Sequence, residues 1–117
     1  MIDYPHIYKP MDHFQKKLDQ IRVSDPVGYE HVQKVIGRLL TDPDVADGKM
    51  HGIYQGRFKK YVGRREYRII YHWCRLCRKE NKRQEKVCRD CDSIPDNSVI
   101  FFDIYHKKDK KKFKHAV

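Results

Sequence analysis

An α+β fold is predicted by three observations. Apolar residues recur at helical spacing only before residue 42, strand-like stretches fill the rest, and two matched cysteine pairs interrupt those strands. Helices followed by a meander of strands imply two N-terminal helices packed on a small antiparallel sheet. The length of 117 residues allows one domain spanning 1–117, and a hydrophobic content of 39% supplies a single modest core for it.

Residues 2–9 (IDYPHIYK) read as a short edge strand, because Pro5 cannot donate a ladder hydrogen bond. Asp12 is expected to cap the first helix, with Gln15 three residues on as in a capping box, and Phe14, Leu18 and Ile21 make its apolar stripe. Asp25-Pro26 starts a second helix with cap and N1 proline in their preferred places. Val32, Val35, Ile36, Leu39 and Leu40 give that helix the strongest period in the chain, and Thr41-Asp42-Pro43 stops it. A loop through Gly48 and Gly52 leads to a strand at Arg57–Val62, a turn at 63–66 and a strand at Tyr67–Trp73. In the latter, Tyr67, Ile69, Tyr71 and Trp73 share one face, and Arg68, Ile70 and His72 the other. Ser98–Tyr105 (SVIFFDIY) is apolar enough to be a central or well covered strand, and a basic tail follows from His106 to His115.

The cysteines are Cys74-Arg-Leu-Cys77 and Cys88-Arg-Asp-Cys91, ten residues apart in a charged loop. Four thiolates at that spacing close a tetrahedron around one structural Zn²⁺, so 74–91 is read as a zinc-binding hairpin insertion. A secreted disulfide framework is disfavoured, since nothing like a signal peptide precedes the loop. A thioredoxin-like site needs one such pair at a strand-to-helix junction, not two around a polar loop. Catalytic zinc is disfavoured because four thiolates leave no open position.

Lys+Arg 26 against Asp+Glu 16 gives a net charge of +10. A zinc ion on four thiolates would leave about +8, still an excess that favours a polyanion, with nucleic acid as the first candidate. No run of apolar residues reaches membrane-span length, so no membrane partner is expected.

The order of motifs is informative. Lys49-Met50-His51-Gly52 precedes a basic strand, Tyr67-Arg68-Ile69-Ile70-Tyr71 follows, and the last apolar strand ends in His106-Lys107-Lys108-Asp109. This order resembles the RelE/ParE superfamily of toxins over nearly the whole chain except the cysteine loop. The resemblance implies a cytoplasmic toxin held inactive by an antitoxin protein. It also implies a metal-independent endoribonuclease, an mRNA interferase acting on mRNA at the ribosome. In that chemistry a 2′-OH attacks the adjacent 3′ phosphate, leaving a 2′,3′-cyclic phosphate and a 5′-OH.

By that resemblance, Arg68 is the transition-state stabiliser on the phosphate. The family's lysine pair falls on Arg57, Lys59 or Lys60. Counting from Gly52 gives Lys60 and counting back from Tyr67 gives Lys59, and a one-residue shift reverses the face. Lys60 stands first as candidate general base and Lys59 second; a lysine serves so only where neighbouring cations lower its pKa. Lys107 aligns with a phosphate-contacting arginine and His106 with a catalytic histidine of other branches. Phe113 falls where the family has a catalytic tyrosine, and it can stack on a base but not transfer a proton. Lys108, Lys110, Lys111 and Lys112 are expected to track phosphates with Arg57 and Phe113, while Tyr67 and Tyr105 are expected in the core. Two alternatives stay open: a non-catalytic zinc-containing RNA- or ribosome-binding module, and a ParE-like gyrase inhibitor.

Overall fold

The computed structural model describes residues 4–52, 56–64, 66–79 and 93–109. Its elements run β1 (Ile7–Pro10), α1 (Asp12–Ser24), α2 (Pro26–Thr41), β2 (Gly48–Lys49), β3 (Phe58–Val62), β4 (Tyr67–Trp73), α3 (Cys74–Lys79) and β5 (Ser98–His106), then a 3-10 turn at Lys107–Asp109. The α+β class is as expected. Among the described residues no helix is long and apolar enough to cross a membrane.

The five strands form one sheet in the order β1-β5-β4-β3-β2. It is mixed, not antiparallel as the sequence suggests: β1 runs parallel to β5, with Ile7 opposite Ser98 and Pro10 opposite Phe101. The long connection through both helices and three strands permits this pairing, which a hairpin would forbid. The parallel ladder also moves the start of α1. Met11 N–H donates to Phe101 O at 2.9 Å, holding the chain extended to Met11, so Met11 is the N-cap and makes no side-chain cap bond. Asp12, expected as the cap, is instead the first helical residue, where its charge complements the helix dipole. Gln15 accepts from Tyr8 Oη and donates to Asp19, both at 3.1 Å, and so closes no capping box.

The cap of α2 forms as expected. Asp25 Oδ1 accepts from Gly28 N–H at 3.1 Å, and Asp25 Oδ2 accepts from Tyr67 Oη at 2.8 Å. Glycine is required at 28, since a Cβ there would lie 2.2 Å from Asp25 Oδ2 and 2.9 Å from the Tyr67 ring. Pro43 ends the helix run, and its carbonyl accepts from the buried Tyr71 hydroxyl at 2.6 Å.

Side-chain parity in β4 divides the molecule into two layers. Tyr67, Ile69, Tyr71 and Trp73 pack with Phe14, Leu18, Val32, Leu39 and Phe101 in the core between sheet and helices. Ile70 faces the other way, into a second cluster with Cys74, Ile100, Phe102 and Tyr105. The β4–β5 register slips between Ile70 (opposite Asp103) and Tyr71 (opposite Phe101), leaving Phe102 as the extra residue of a bulge. The segment at Gly48–Lys49, expected as loop, pairs as β2 with Lys59 and Phe58. Where a polar loop is expected after Trp73, one short helix turns instead, with Cys74 and Cys77 buried in it.

Candidate functional site

Residues of alternating parity meet on the sheet face opposite the helices. The β3–β4 register sets Tyr61 opposite Arg68 and Lys59 opposite Ile70, and β5 sets Tyr105 opposite Arg68. Residues opposite one another on neighbouring strands share a face. Lys59, Tyr61, Arg68 and Tyr105 therefore stand together.

The geometry of the group is tight. Arg68 Cζ lies 5.0 Å from the Tyr61 ring centre and 5.9 Å from that of Tyr105, and Lys59 Nζ lies 5.6 Å from the Tyr61 ring centre. These are cation–π distances. Burial raises the Tyr61 phenol, but hydrogen bonding and charge from Arg68 and Lys59 outweigh it and leave the group below its ordinary value. Burial raises Tyr105, and the Arg68 charge only partly offsets that. Arg68 Nη1 is buried and makes no hydrogen bond among the described residues. A guanidinium with a spare donor, an ammonium and an acidified phenol make a cluster that complements a phosphate.

Lys60 is not in it. It points to the opposite side, its Nζ donating to Val45 O at 2.9 Å and lying 3.5 Å from Asp47 Oδ1. Of the two lysines left open by the sequence, Lys59 is the one that shares a face with Arg68. His106 is also elsewhere. It pairs with Tyr67 across the ladder and stacks edge-on against that ring at 5.2 Å, on the helix side of the sheet. Its Nδ1 accepts from Lys108 N–H at 3.1 Å, which leaves Nε2 as the protonated nitrogen of the neutral ring.

Arg57 is buried on the Lys59 face, its Cζ 4.3 Å above the Phe102 ring, so it packs into the second cluster. Lys107 and Lys108 are exposed just past β5, with Lys107 N–H donating to Glu66 O at 3.0 Å. Tyr67 and Tyr105 are core residues, as expected. Lys110, Lys111, Lys112 and Phe113 lie outside the described residues. Tyr61 is the member that reading the sequence missed. Its signal was there: seven residues before Arg68 across a four-residue turn, it takes the same face only if the register follows Lys59.

The cysteine pairs are half described. Cys74 and Cys77 are both buried and stand three residues apart on α3, where successive turns bring two side chains to one side. That placement fits two ligands of a thiolate zinc site, although it sits at a strand-to-helix junction of the kind a lone redox pair also uses. Cys88 and Cys91 lie outside the described residues. Comparison of the chain with protein-family models, with curated proteins and with solved structures finds no match.

Proposed function

We propose that this chain is a RelE-like toxin, a cytoplasmic ribosome-dependent endoribonuclease that cuts mRNA and is restrained by a cognate antitoxin. The observation that carries this reading is the convergence of Arg68, Lys59 and Tyr61 on the sheet face opposite the helices. The order of elements and the Tyr67–Tyr71 strand support it.

In this reading the 2′ oxygen of one nucleotide attacks its own 3′ phosphorus. The P–O2′ bond forms, the P–O5′ bond breaks, and a cyclic phosphate and a 5′ hydroxyl result. Arg68 stabilises the extra negative charge of the phosphorane, which is the largest single task in such a step. Tyr61, whose pKa its two cationic neighbours lower, is the candidate to take the proton of the 2′-OH. Lys59 gives a proton to the departing 5′ oxygen. Tyr61 thereby supplies the proton-transfer group that Phe113 cannot. Cys74, Cys77, Cys88 and Cys91 would hold a structural Zn²⁺ as a staple, and four thiolates would leave that metal no open position for the cleavage step.

The second reading, a non-catalytic RNA- or ribosome-binding module, is favoured by one observation. His106 stacks on Tyr67 at 5.2 Å on the far side of the sheet and cannot serve the Arg68 cluster. Translation in vitro with purified ribosomes, mapped by primer extension, separates the two. Ribosome-dependent cuts are expected, falling at least a hundredfold in Arg68→Ala, on the scale of losing one transition-state donor. Binding without cuts would decide for the module, and cuts in naked RNA would overturn the ribosome-dependent mechanism.

A further inference from the structure

A groove of about 460 Å³, within the range of ligand sites, runs between α2 and the β3–β4 turn. Its helix wall carries His31, Lys34 and Arg38, spaced at three and four residues and so stacked along one side of α2. Its strand wall carries Lys60, and its carboxylate is Asp47. Asp47 is already engaged: Oδ2 accepts from Tyr61 N–H at 2.8 Å and Oδ1 lies 3.5 Å from Lys60 Nζ.

Lys34 and Arg38 are exposed and, among the described residues, form no ion pair. His31 Nδ1 is buried and, among the described residues, makes no hydrogen bond, standing 3.6 Å from the Glu66 carboxylate. Gly63 keeps the turn side of the groove low: its φ of +57° suits glycine, and a Cβ would come 3.4 Å from His31 Nδ1.

We propose that this groove binds the phosphates of single-stranded RNA, with Lys34 and Arg38 holding them. The floor offers little apolar surface, Val35 being only 6% exposed, and a docking helix or peptide would need apolar anchors. Point charges at regular spacing suit a phosphate backbone instead. Tyr61 lines the groove and also meets Arg68, so an RNA strand lying on the Arg68 face reaches the groove over the β3 edge. Beyond Lys59 that edge is not strand-paired among the described residues, and Asp47 satisfies its Tyr61 N–H. The groove stands on these residues whether or not the Arg68 face cleaves RNA.

The test is fluorescence anisotropy with the full chain and a labelled 2′-O-methyl oligoribonucleotide, which no 2′-OH attack can cut. Each phosphate contact on a single strand adds about 0.7 to the salt slope, or about fivefold in affinity at 0.1 M salt. Lys34→Ala/Arg38→Ala is therefore expected to bind about 25-fold more weakly, with a slope lower by about 1.4. Lys34→Arg/Arg38→Lys should retain the affinity. Lys9→Ala/Lys16→Ala, which removes equal charge from other exposed positions, should change it by less than about threefold. Equal losses in both alanine pairs would reduce the groove to bulk charge and overturn the proposal. So would unchanged RNA affinity, including the case in which the alanine pair loses poly-L-aspartate binding instead, which would make this a docking site for an acidic polypeptide.

Discussion

Removing the ammonium of Lys17 should destabilise this protein by unpinning helix α1 from the buried carboxylate of Asp103. Asp103 lies in β5 with 2% of its side chain exposed, and Lys17, whose side chain is 31% exposed, places Nζ 2.8 Å from its Oδ1. The same oxygen is 3.1 Å from His13 Nε2 and accepts from Ile104 N–H at 2.8 Å. Breaking a fully buried ion pair leaves an uncompensated charge and costs about 3–5 kcal/mol. Here Lys17 is partly solvated and two other groups still face the carboxylate, so about 2 kcal/mol is expected for Lys17→Met. Methionine keeps the apolar stem and the helix propensity, which isolates the charge. For a domain of this size that loss lowers Tm by about 8–10 °C. Urea unfolding of Lys17→Met, Asp103→Asn and the double variant gives the coupling directly, expected at about 1.5 kcal/mol. If Lys17→Met stays within about 0.5 kcal/mol of the parent, or Asp103→Asn costs the same in both backgrounds, the pair does not hold helix to sheet.

Asp25 carries the acid sensitivity of the α2 cap: the Tyr67 hydroxyl and the Gly28 N–H lower its pKa below the ordinary 3.8. A group depressed in the folded state contributes stability that is fully present above its unfolded pKa and is lost as pH falls through the folded one. The gap between the parent and Asp25→Asn in a pH series of melts should thus be constant above about pH 4 and shrink below it; a gap that widens towards acid would contradict the assignment. Alkaline titration of phenolate absorbance should show one early tyrosine, lost in Tyr61→Phe, while Tyr8 and Tyr67, raised to about 12 chiefly by burial, ionise late. Persistence of the early phase in Tyr61→Phe would remove Tyr61 from the proton-transfer role. Cys88→Ser should lose stoichiometric zinc and melt lower, and full metal content with unchanged stability would refute the zinc staple.

The parts legible in the sequence are those governed by short-range periodicity. The α2 stripe from Val32 to Leu40 and the alternation of β4 appear in the structure on the faces their spacing assigns. What the sequence could not carry is set over long distances. The parallel pairing of Ile7–Pro10 with Ser98–Phe101 has no local signature, and it displaced the expected cap from Asp12 to Met11. Lys17 and Asp103 are 86 positions apart. Asp103 is the one charged residue of SVIFFDIY, and nothing near it in sequence names its partner. The choice between Lys59 and Lys60 depended on whether the four-residue turn at Gly63 keeps or reverses parity, which counting alone does not decide. A helix as short as Cys74–Lys79 shows too little of a period to be read.

Parity also bears on how the cysteine insertion relates to the chemistry. Arg68 and Cys74 lie six residues apart along β4 and its end, about 20 Å at the rise of a strand, so a metal at the cysteines cannot reach a phosphate held at Arg68. The two are nevertheless mechanically joined. Ile70 and Tyr105, between them, belong to the same buried cluster as Cys74, Ile100 and Phe102, and Tyr105 in turn lies 5.9 Å from the Arg68 guanidinium. Loss of the proposed staple should therefore act on the site through packing. It loosens the cluster that fixes Tyr105, and with it the strand face on which Lys59, Tyr61 and Arg68 are held. In the proposed mechanism, a Cys88→Ser protein assayed well below its melting point should retain the pH dependence expected of Tyr61 while losing thermal range. A change in that pH dependence would mean the insertion reaches the reacting groups themselves.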